Sequence, residues 1–328
     1  MKIMTDSPIR FPGLFGDWAI TISSKAIDIG NGIYWYGILI ALGMLLALWW
    51  CMRQRTKYGI REDDLIDGLL WGIPSAIVGA RLYYVLFYLS EFKDHEGHFS
   101  WSKAIAIWDG GLAIYGGIIA AALTLIVFCR IRKISFFSFA DLGVHGLLIG
   151  QCIGRWGNFM NVEAYGGVTG LPWRMCSESI ASSLLSQGLV DADGYQAILD
   201  GTLGVHPTFF YESLWNFVGI FLIYWIGKHW KKFDGQVFWS YVLWYGLGRF
   251  WIEGLRTDSL YFFGLELFGA PIRTSQVLAI VSAAVAAVVL IYELKFRRHD
   301  PSELYVNRLA AHRADAGEGP GGPEKKED

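Results

Sequence analysis

The sequence predicts an all-α polytopic membrane protein with about seven transmembrane helices, and two observations carry that prediction. Of the 328 residues, 53% are hydrophobic and only 18% are charged, whereas soluble domains average about 25% charged residues. Apolar stretches also recur along the chain at the length of about 20 residues that crosses a hydrocarbon core of about 30 Å. The composition and the recurring apolar stretches together exclude a soluble globular domain.

Seven apolar stretches are counted between polar loops. They cover residues 33–52, 65–89, 110–129, 136–153, 208–227, 237–255 and 274–294. A long polar and aromatic segment separates the fourth stretch from the fifth, which predicts an extramembrane head. The expected organisation is an extracytoplasmic N-terminal segment at 1–32, spans one to four at 33–155, a signature loop and head at 156–207, spans five to seven at 208–296, and a disordered cytoplasmic tail at 297–328.

The distribution of Lys and Arg predicts the orientation, because basic loops stay in the cytoplasm. Basic residues cluster after spans one, three, five and seven, at 53–61, 130–133, 228–232 and 295–298. The segment 156–207 carries Arg174 as its single Lys or Arg. With an odd number of spans, the N-terminus is expected outside, the C-terminus inside, and the head on the extracytoplasmic side.

Several other classes are excluded or disfavoured by simple features of the chain. A net charge of −2 gives no bulk attraction to nucleic acid. The first 32 residues lack a basic start followed by an apolar core, so no cleavable signal peptide is expected. The four cysteines show no metal-like spacing, and neither a metal nor a cofactor is expected.

The stretch 154–167, which reads G-R-W-G-N-F-M-N-V-E-A-Y-G-G, ends the fourth span and is the first place to look for chemistry. A charge at the bilayer centre costs roughly 2.5 to 3.5 kcal/mol, so such a residue is functional by default. Four glycines beside amide and charged side chains predict a backbone that leaves the helix to line a polar cavity. The candidate binding residues here are Arg155, Asn158, Asn161, Glu163 and Gly166.

A second polar cluster lies inside the sixth span. Steps of four, four and three residues are expected to keep its members near one face of a helix; they are Tyr245, Arg249, Glu253 and Arg256. Arg249 and Glu253 form a simple i, i+4 ion pair in one interpretation. In the other, Arg249 joins Arg155 near the outer leaflet as a fork-shaped receptor for phosphate, which arginine binds bidentately.

Two further stretches carry candidate residues with weaker signals. Tyr115 lies in W-D-G-G-L-A-I-Y-G-G, where the glycines permit close helix packing and Tyr115 either anchors at the interface or faces the cavity of Arg155. His206 and Glu212 lie in H-P-T-F-F-Y-E at the start of the fifth span, where an interfacial histidine is often only a surface or capping residue.

Three isolated residues complete the set. Tyr36 in I-Y-W-Y-G is a candidate binding residue near the start of the first span. Arg81 in the second span is explained as well by snorkelling of its side chain to the interface. His145 in the fourth span is more often a packing residue in such a position.

Taken together, these stretches resemble the prolipoprotein diacylglyceryl transferase family of bacterial inner-membrane enzymes. Residues 154–166 fit the family signature G-R-x-G-N-F-x-N-x-E-x-x-G without a mismatch, and Y-G-L-G-R-F-W-I-E-G-L-R and H-P-T-F-F-Y-E resemble two further family blocks. The resemblance covers about residues 34–292. It implies transfer of the sn-1,2-diacylglyceryl group from phosphatidylglycerol to the lipobox cysteine of a preprolipoprotein, with release of glycerol phosphate.

The resemblance also implies roles for the candidate residues. Arg155 and Arg249 carry the essential electrostatic part, and the remaining residues shape the lipid and peptide site; these are Asn158, Glu163, Tyr36, Tyr245 and Glu253. In part of the family a histidine assigned as a base stands where this chain has Tyr115. Because an ordinary tyrosine pKa lies near 10, Tyr115 is a poor base at neutral pH. Either it positions substrate, or the cationic site lowers the pKa of the substrate thiol.

Two other function classes were weighed against the enzyme. A transporter or channel would use intramembrane charges as a path and is expected to show internal repeats and charges in both halves of the membrane. An inactive scaffold would merely fold around buried ion pairs. No repeat is visible and the motif residues gather toward the outside, which disfavours a transporter, and the match to the family signature disfavours both alternatives.

Overall fold

The computed structural model describes residues 8–27, 32–93, 97–257, 261–267 and 270–315. Its helices are α1 (Pro12–Phe15), α2 (Trp35–Gln54), α3 (Glu62–Phe87), α4 (Trp101–Ile105), α5 (Ile114–Ile131), α6 (Phe136–Met160), α7 (Glu178–Ser186), α8 (Ala192–Leu199), α9 (Thr208–His229), α10 (Gln236–Glu253), α11 (Thr274–Ile291) and α12 (Tyr305–Asp315). Its strands are β1 (Ile9–Arg10), β2 (Ala19–Ile20), β3 (Lys25–Ile27), β4 (Ile33–Tyr34), β5 (Val168–Thr169), β6 (Gly204–Val205), β7 (Tyr261–Leu267) and β8 (Ala270–Arg273). Each strand pairs with one antiparallel partner, in the order β1–β2, β3–β4, β5–β6 and β7–β8.

The prediction of a helical, polytopic membrane protein is confirmed. In the part of the chain that the structure describes, six helices are long and apolar enough to cross a bilayer: Trp35–Tyr58, Glu62–Phe87, Ile114–Ile131, Phe136–Met160, Thr208–His229 and Thr274–Phe296. The predicted sixth span forms α10, which has 18 residues. It is outside this group of six because polar residues such as Arg249 and Glu253 lower its mean hydropathy.

The fourth span is longer than predicted. α6 continues through Met160 rather than ending near residue 153, and the predicted departure from the helix within 154–167 comes only after Met160. A glycine inside a helix is tolerated at about 1 kcal/mol, and Gly157 has a packing reason, since a Cβ there would lie 2.5 Å from Cδ2 of Tyr36. Irregular backbone begins after the helix, where Val162 and Ala164 have φ of 52° and 57°.

The chain forms two compact units. The first comprises Met1–Cys51 and Gly143–His299, and the second comprises Met52–Leu142 and Asp300–Asp328. The first unit contains the signature stretch, α9, α10 and α11. The second contains α3, α5 and α12.

A hydrophobic core in the first unit supports the loop that follows α6. Residues of the N-terminal segment, the signature stretch and α7 to α9 form it together: Ile9, Ile22, Phe159, Val162, Tyr165, Met175, Cys176, Ile180, Ala181, Leu184, Ile198, Val205 and Phe209. Burial raises the pKa of the Cys176 thiol, as expected of a cysteine used for packing. The head contains the two short helices α7 and α8. The N-terminal segment packs with them, because Arg10 pairs with Cys176.

In the second unit, small residues bring α3 and α5 close together. A Cβ added at Gly116 would lie 2.4 Å from the carbonyl oxygen of Gly79, and one at Gly79 would lie 2.2 Å from Cβ of Ala120. Backbones approach this closely in membranes when small residues face each other. Close packing by the glycines around Tyr115 is therefore present in the structure.

We expect Gly116→Val to destabilise the second unit, because neither backbone can yield to the added methyl groups. Overpacking of a tight site costs about 1 to 3 kcal/mol, measurable as a lower thermal unfolding temperature in detergent. Gly143→Val is the matched control, since it puts the same residue into a helix where nothing lies within 4 Å of the new Cβ. Equal unfolding temperatures for the two variants would contradict the packing argument.

The tail differs from the expectation of disorder. Residues 305–315 form α12, and the remaining positions 316–328 lie outside the described residues. Tyr305, Val306 and Leu309 of α12 pack on Gly59, where an added Cβ would lie 3.0 to 3.3 Å from their atoms. The polar composition of the tail predicted no hydrophobic core, but these side chains pack against Gly59 within the second unit.

Candidate active site

A carboxylate lies between two arginines at the start of α9. Oε1 of Glu212 is 2.5 Å from Nη2 of Arg155, and its Oε2 is 3.4 Å from Nη1 of Arg249. The three side chains come from α9, α6 and α10, and Glu212 is only 4% exposed. A buried carboxylate needs such partners, because an unpaired buried charge is strongly destabilising. Two arginines that are distant in the sequence therefore share one anion.

Glu253 adds a second carboxylate to the cluster. Its Oε2 lies 2.5 Å from Nη2 of Arg249, so the i, i+4 pair weighed from the sequence is present, but Arg249 also contacts Glu212. Oε1 of Glu212 and Oε2 of Glu253 have no aligned hydrogen-bond donor among the described residues. These two close contacts are ion pairs without hydrogen-bond geometry, so both oxygens keep unused acceptor capacity.

The signature stretch continues this network. Arg155 Nη1 lies 3.4 Å from Oδ1 of Asn158, and Nδ2 of Asn158 donates to Oε1 of Glu163 at 2.9 Å. Asn161 donates to the same oxygen at 3.3 Å. The two amides thus hold the Glu163 carboxylate in place beside the arginine.

Gly166 anchors the end of the signature loop. Its N–H donates to the His206 carbonyl at 2.9 Å, and the N–H of Gly167 donates to the Leu255 carbonyl at 2.7 Å. A Cβ at Gly166 would lie 2.7 Å from Cβ of His206 and 2.8 Å from the Leu255 oxygen. Only glycine fits this crossing, which ties the loop to the residues before α9 and after α10.

Arg256 does not lie where the sequence placed it. α10 ends at Glu253, and the chain turns after Gly254, so Arg256 is beyond the helix. The prediction that it shares one helix face with Tyr245 and Arg249 is wrong, because glycine is a poor helix former and the chain turns there. Its backbone instead pairs with Gly166.

The two predicted tyrosines of the first unit lie on α2 and α10. Tyr36 is the second residue of α2 and its ring packs on Gly157. Tyr245 stacks on Tyr241, with ring centroids 5.8 Å apart, and the Tyr241 hydroxyl accepts a hydrogen bond from Gln151. Tyr245 lies four residues, or about one helical turn, before Arg249 on α10.

A tryptophan pair fixes α9 against α10. Trp215 and Trp244 stack at 4.2 Å, and each indole N–H donates to the other residue's carbonyl, at 3.0 and 3.1 Å. Gly248 and Gly219 leave room for them, since a Cβ at either would lie within 2.5 Å of an indole nitrogen. The pair lies one turn from Glu212 and near Arg249, so it sets the separation of those charges.

His206 is part of the head rather than of the charge cluster. Tyr211 accepts a hydrogen bond from the Trp173 indole at 2.6 Å, which leaves its own proton to donate to Nδ1 of His206 at 3.2 Å. Burial lowers the pKa of His206, because the charged imidazolium is poorly solvated there. The neutral ring therefore suits this place.

We expect acid to destabilise the head through His206. Its pKa in the folded protein is lower than in the unfolded chain, where it is about 6.5. The unfolded chain then binds more protons, so stability is retained above about pH 6.5 and is lost as the pH falls through the folded pKa. Thermal unfolding between pH 7.5 and pH 5 should show a smaller acid-induced drop for His206→Gln than for the wild type. The exposed His229→Gln should keep the wild-type drop, and an unchanged drop in His206→Gln would contradict this assignment.

Tyr115 lies half-buried in the first turn of α5, in the second unit. The loop before it is held by Arg81, which is 8% exposed and donates to the carbonyls of Lys103, Ala104, Gly110 and Gly111 at 2.5 to 3.0 Å. Its guanidinium also lies 5.0 Å from the Phe92 ring centre. Snorkelling, the alternative for Arg81, is wrong, since the side chain turns inward to a set of carbonyls.

Asn216 is a polar residue that sequence reasoning missed. It is fully buried on α9, and its side-chain amide has no hydrogen-bond partner among the described residues. The available signal was its spacing of four residues from Glu212 in an otherwise apolar helix, which puts both on one face. An unsatisfied buried amide next to the charge cluster is a ready partner for a bound polar group.

The arrangement suits an anionic substrate whose charge increases during reaction. The two guanidinium groups converge on the Glu212 carboxylate. The low dielectric constant around them strengthens their electrostatic effect. Among the described residues, the side-chain partners of Arg155 and Arg249 are carboxylates and an amide, so a nucleophile would come from a substrate. Such a site stabilises a phosphate leaving group better than it activates a residue of its own.

Comparison with known proteins gives a consistent result. Residues 24–292 match the family model described as "Prolipoprotein diacylglyceryl transferase". The phosphatidylglycerol–prolipoprotein diacylglyceryl transferase of Oceanobacillus iheyensis is 40% identical over 293 residues, 88% of this chain and 93% of the relative. The enzyme of the same name from Bacillus velezensis is 42% identical over 273 residues, 83% of this chain and 92% of the relative. That from Enterococcus faecalis is 41% identical over 281 residues, 85% and 91% of the two chains. The chain belongs to the prolipoprotein diacylglyceryl transferase family.

Proposed function

We propose that this protein transfers the sn-1,2-diacylglyceryl group of phosphatidylglycerol to the lipobox cysteine of a preprolipoprotein, the first step of lipoprotein maturation. The products are a thioether on the protein substrate and glycerol phosphate. The observation that carries the proposal is the pair Arg155 and Arg249 around one buried carboxylate. The relatives align with 83% to 88% of this chain, and their names point to the same reaction.

The chemistry needs charge stabilisation more than a protein nucleophile. The cysteine sulfur of the substrate bonds to the glycerol carbon while the bond from that carbon to the phosphate oxygen breaks. The electron pair leaves on the phosphate oxygen, and the thiol proton passes to solvent water. Arg155 and Arg249 would bind the phosphate and stabilise its second negative charge, the type of interaction that strengthens in the transition state.

The neighbouring residues support substrate binding in this proposal. Asn158, Asn161 and Glu163 orient Arg155 and offer polar contacts to a glycerol head group, because their amide and carboxylate atoms form one network. Glu253 holds Arg249. Other residues shape the walls and the loop that faces the substrate: Tyr36, Tyr245, Gly166, Arg256, His206 and Glu212.

We infer that the reaction needs no dedicated general base at Tyr115. Cationic groups near a thiol lower its pKa and favour the thiolate. Two arginines close to the reacting phosphate provide that environment. The function of Tyr115 is then to pack at the start of α5 rather than to move a proton.

We expect Tyr115→Phe to keep transfer within about threefold of the wild type, because only the hydroxyl is removed. Loss of a general base normally lowers the rate by about 10² to 10⁴. Initial rates with a lipobox peptide would measure this. Tyr83→Phe, in the facing helix α3, is a control for loss of a tyrosine hydroxyl in the same unit. A hundredfold loss confined to Tyr115→Phe would show that its hydroxyl takes part in the reaction.

The topology is also a proposal. We infer seven spans, with α10 crossing between α9 and α11, since its 18 residues reach about 27 Å. An odd number of spans together with the basic loops puts the N-terminus outside and the C-terminus inside. The arginine cluster then lies toward the outer leaflet of the inner membrane, where a preprolipoprotein presents its lipobox.

The test is transfer by the purified protein. Phosphatidylglycerol and a lipobox peptide are incubated with the enzyme, and the peptide mass and the released glycerol phosphate are followed together. The wild type should add one diacylglyceryl group per peptide and release an equal amount of glycerol phosphate. A peptide with Cys→Ser should stay unmodified, and Arg155→Ala should not transfer. Folded wild type that binds lipid but never modifies the peptide would overturn the proposal in favour of a transport or scaffold role.

A further inference from the structure

A second polar cavity lies at the far end of α5 from Tyr115. It is an open cavity of about 340 Å³ between the short turn after α5 and the helix α12, near the lower limit of ligand pockets. Its lining combines cations with apolar surface: Lys133, Ile134, Ser135, Arg308, Leu309 and His312. All of these residues belong to the second compact unit.

The cations that line this cavity are not neutralised by the protein. No ion pair among the described residues engages either cation, Lys133 or Arg308. The nearby Asp64 carboxylate has other partners, since it pairs with Arg61 and Arg132. The cavity therefore offers positive charge to a ligand.

The cavity lies where lipid head groups would be. Lys133 follows α5 by two residues, and Ser135 directly precedes α6, and both helices are long and apolar enough to cross a bilayer. A cavity in the turn between two such helices lies at the boundary of the hydrocarbon region. Basic pockets at this depth on the cytoplasmic side are typical phosphate-binding sites for anionic lipids.

Packing shows that the cavity wall is built into the fold. α12 rests on Gly59 through Val306 and Leu309, and burial raises the pKa of Tyr305 at the same contact. Arg308 and His312 are four residues apart, so they project from one face of α12 toward the turn that carries Lys133. Residues 305–315 lie beyond the range 24–292 that matches the family model.

We propose that this cavity binds the phosphate group of an anionic phospholipid and thereby fastens α12 to the membrane boundary. Arg308 provides a planar fork for two phosphate oxygens, Lys133 a point charge, and Ser135 a hydroxyl donor. Ile134 and Leu309 contact the apolar part of the lipid. The site is separate from the arginine cluster of the first unit and does not depend on the proposed reaction.

Hydrogen exchange of the full chain in lipid nanodiscs tests this site directly. The exchange of residues 305–315 is compared in phosphatidylcholine, in phosphatidylcholine containing phosphatidic acid, and in phosphatidylcholine with inorganic phosphate in the buffer. We expect the anionic lipid to slow exchange of α12 about tenfold or more, because the bound lipid must leave before the helix opens. The protection should disappear in Lys133→Gln/Arg308→Gln.

Two matched variants separate charge from fold. Arg313→Gln removes a cation of α12 that does not line the cavity and should keep the protection. Lys133→Arg/Arg308→Lys keeps both charges and should keep it as well. Protection that is independent of lipid charge, that persists in the glutamine double variant, or that inorganic phosphate alone reproduces would overturn the lipid site.

Discussion

Arg249→Ala should abolish measurable transfer, the largest effect that we expect from a single substitution. The change removes the group shared by Glu212 and Glu253, which leaves Glu212 paired with Arg155 alone and takes from Glu253 its ion pair with Arg249. Loss of one preorganised donor to a developing charge costs about 10² to 10³ in rate. Removing one partner of a buried ion pair also costs about 3 to 5 kcal/mol of stability.

Rates and thermal unfolding must be measured on the same preparation to separate these effects. Arg249→Lys keeps the charge but loses the planar fork, so it should be nearly as stable as the wild type and still slow by at least tenfold. Arg297→Ala is the matched control, because it removes an arginine from an exposed i, i+4 pair with Glu293 and should change neither quantity appreciably. Near-normal transfer by Arg249→Ala would remove Arg249 from the reaction.

The second large effect is expected at Arg81, remote in sequence from the signature. Arg81→Met keeps the length of the side chain but leaves four carbonyls of the loop before α5 without their donor. Hydrogen bonds to a charged group are worth about 1.5 to 3 kcal/mol each, so a loss of about 3 kcal/mol or more is expected. The loop at 101–113 should open, and the start of α5 with it.

Limited proteolysis and hydrogen exchange would detect this opening at residues 101–113. Arg130→Met, an exposed arginine at the other end of α5, is the control and should leave that loop unchanged. Arg81→Lys should be intermediate, because an ammonium cannot reach all four carbonyls at once. Equal protection of the loop in Arg81→Met and the wild type would show that the hydrogen bonds are not what holds it.

Sequence patterns were sufficient for features that depend on composition and local spacing. The apolar stretches gave the long helices, and the i, i+4 spacing of Arg249 and Glu253 gave their contact. The glycines beside Tyr115 gave the close crossing of α3 and α5, since such packing follows from residue size alone.

Contacts between residues that are distant in the sequence could not be predicted from local patterns. Glu212 was expected only near an interface, but its partners lie on two other helices, and nothing local indicates that it bridges them. The length of α6 was underestimated because glycines in the signature looked like a helix end, whereas Gly157 makes room for Tyr36. α12 was missed because its support is Gly59, far away in the sequence.

The position of Glu212 bears on how the site turns over. Arg155 and Arg249 are already paired with the Glu212 carboxylate. A phosphate that binds the two arginines must therefore replace this carboxylate. The free energy of binding is then a difference between two ion pairs, which limits affinity for any phosphate. Glycerol phosphate, which carries more negative charge than the lipid it came from, would otherwise stay bound. In the proposed reaction, the return of Glu212 to the arginines would displace this product and would keep the pair neutralised until the next lipid arrives.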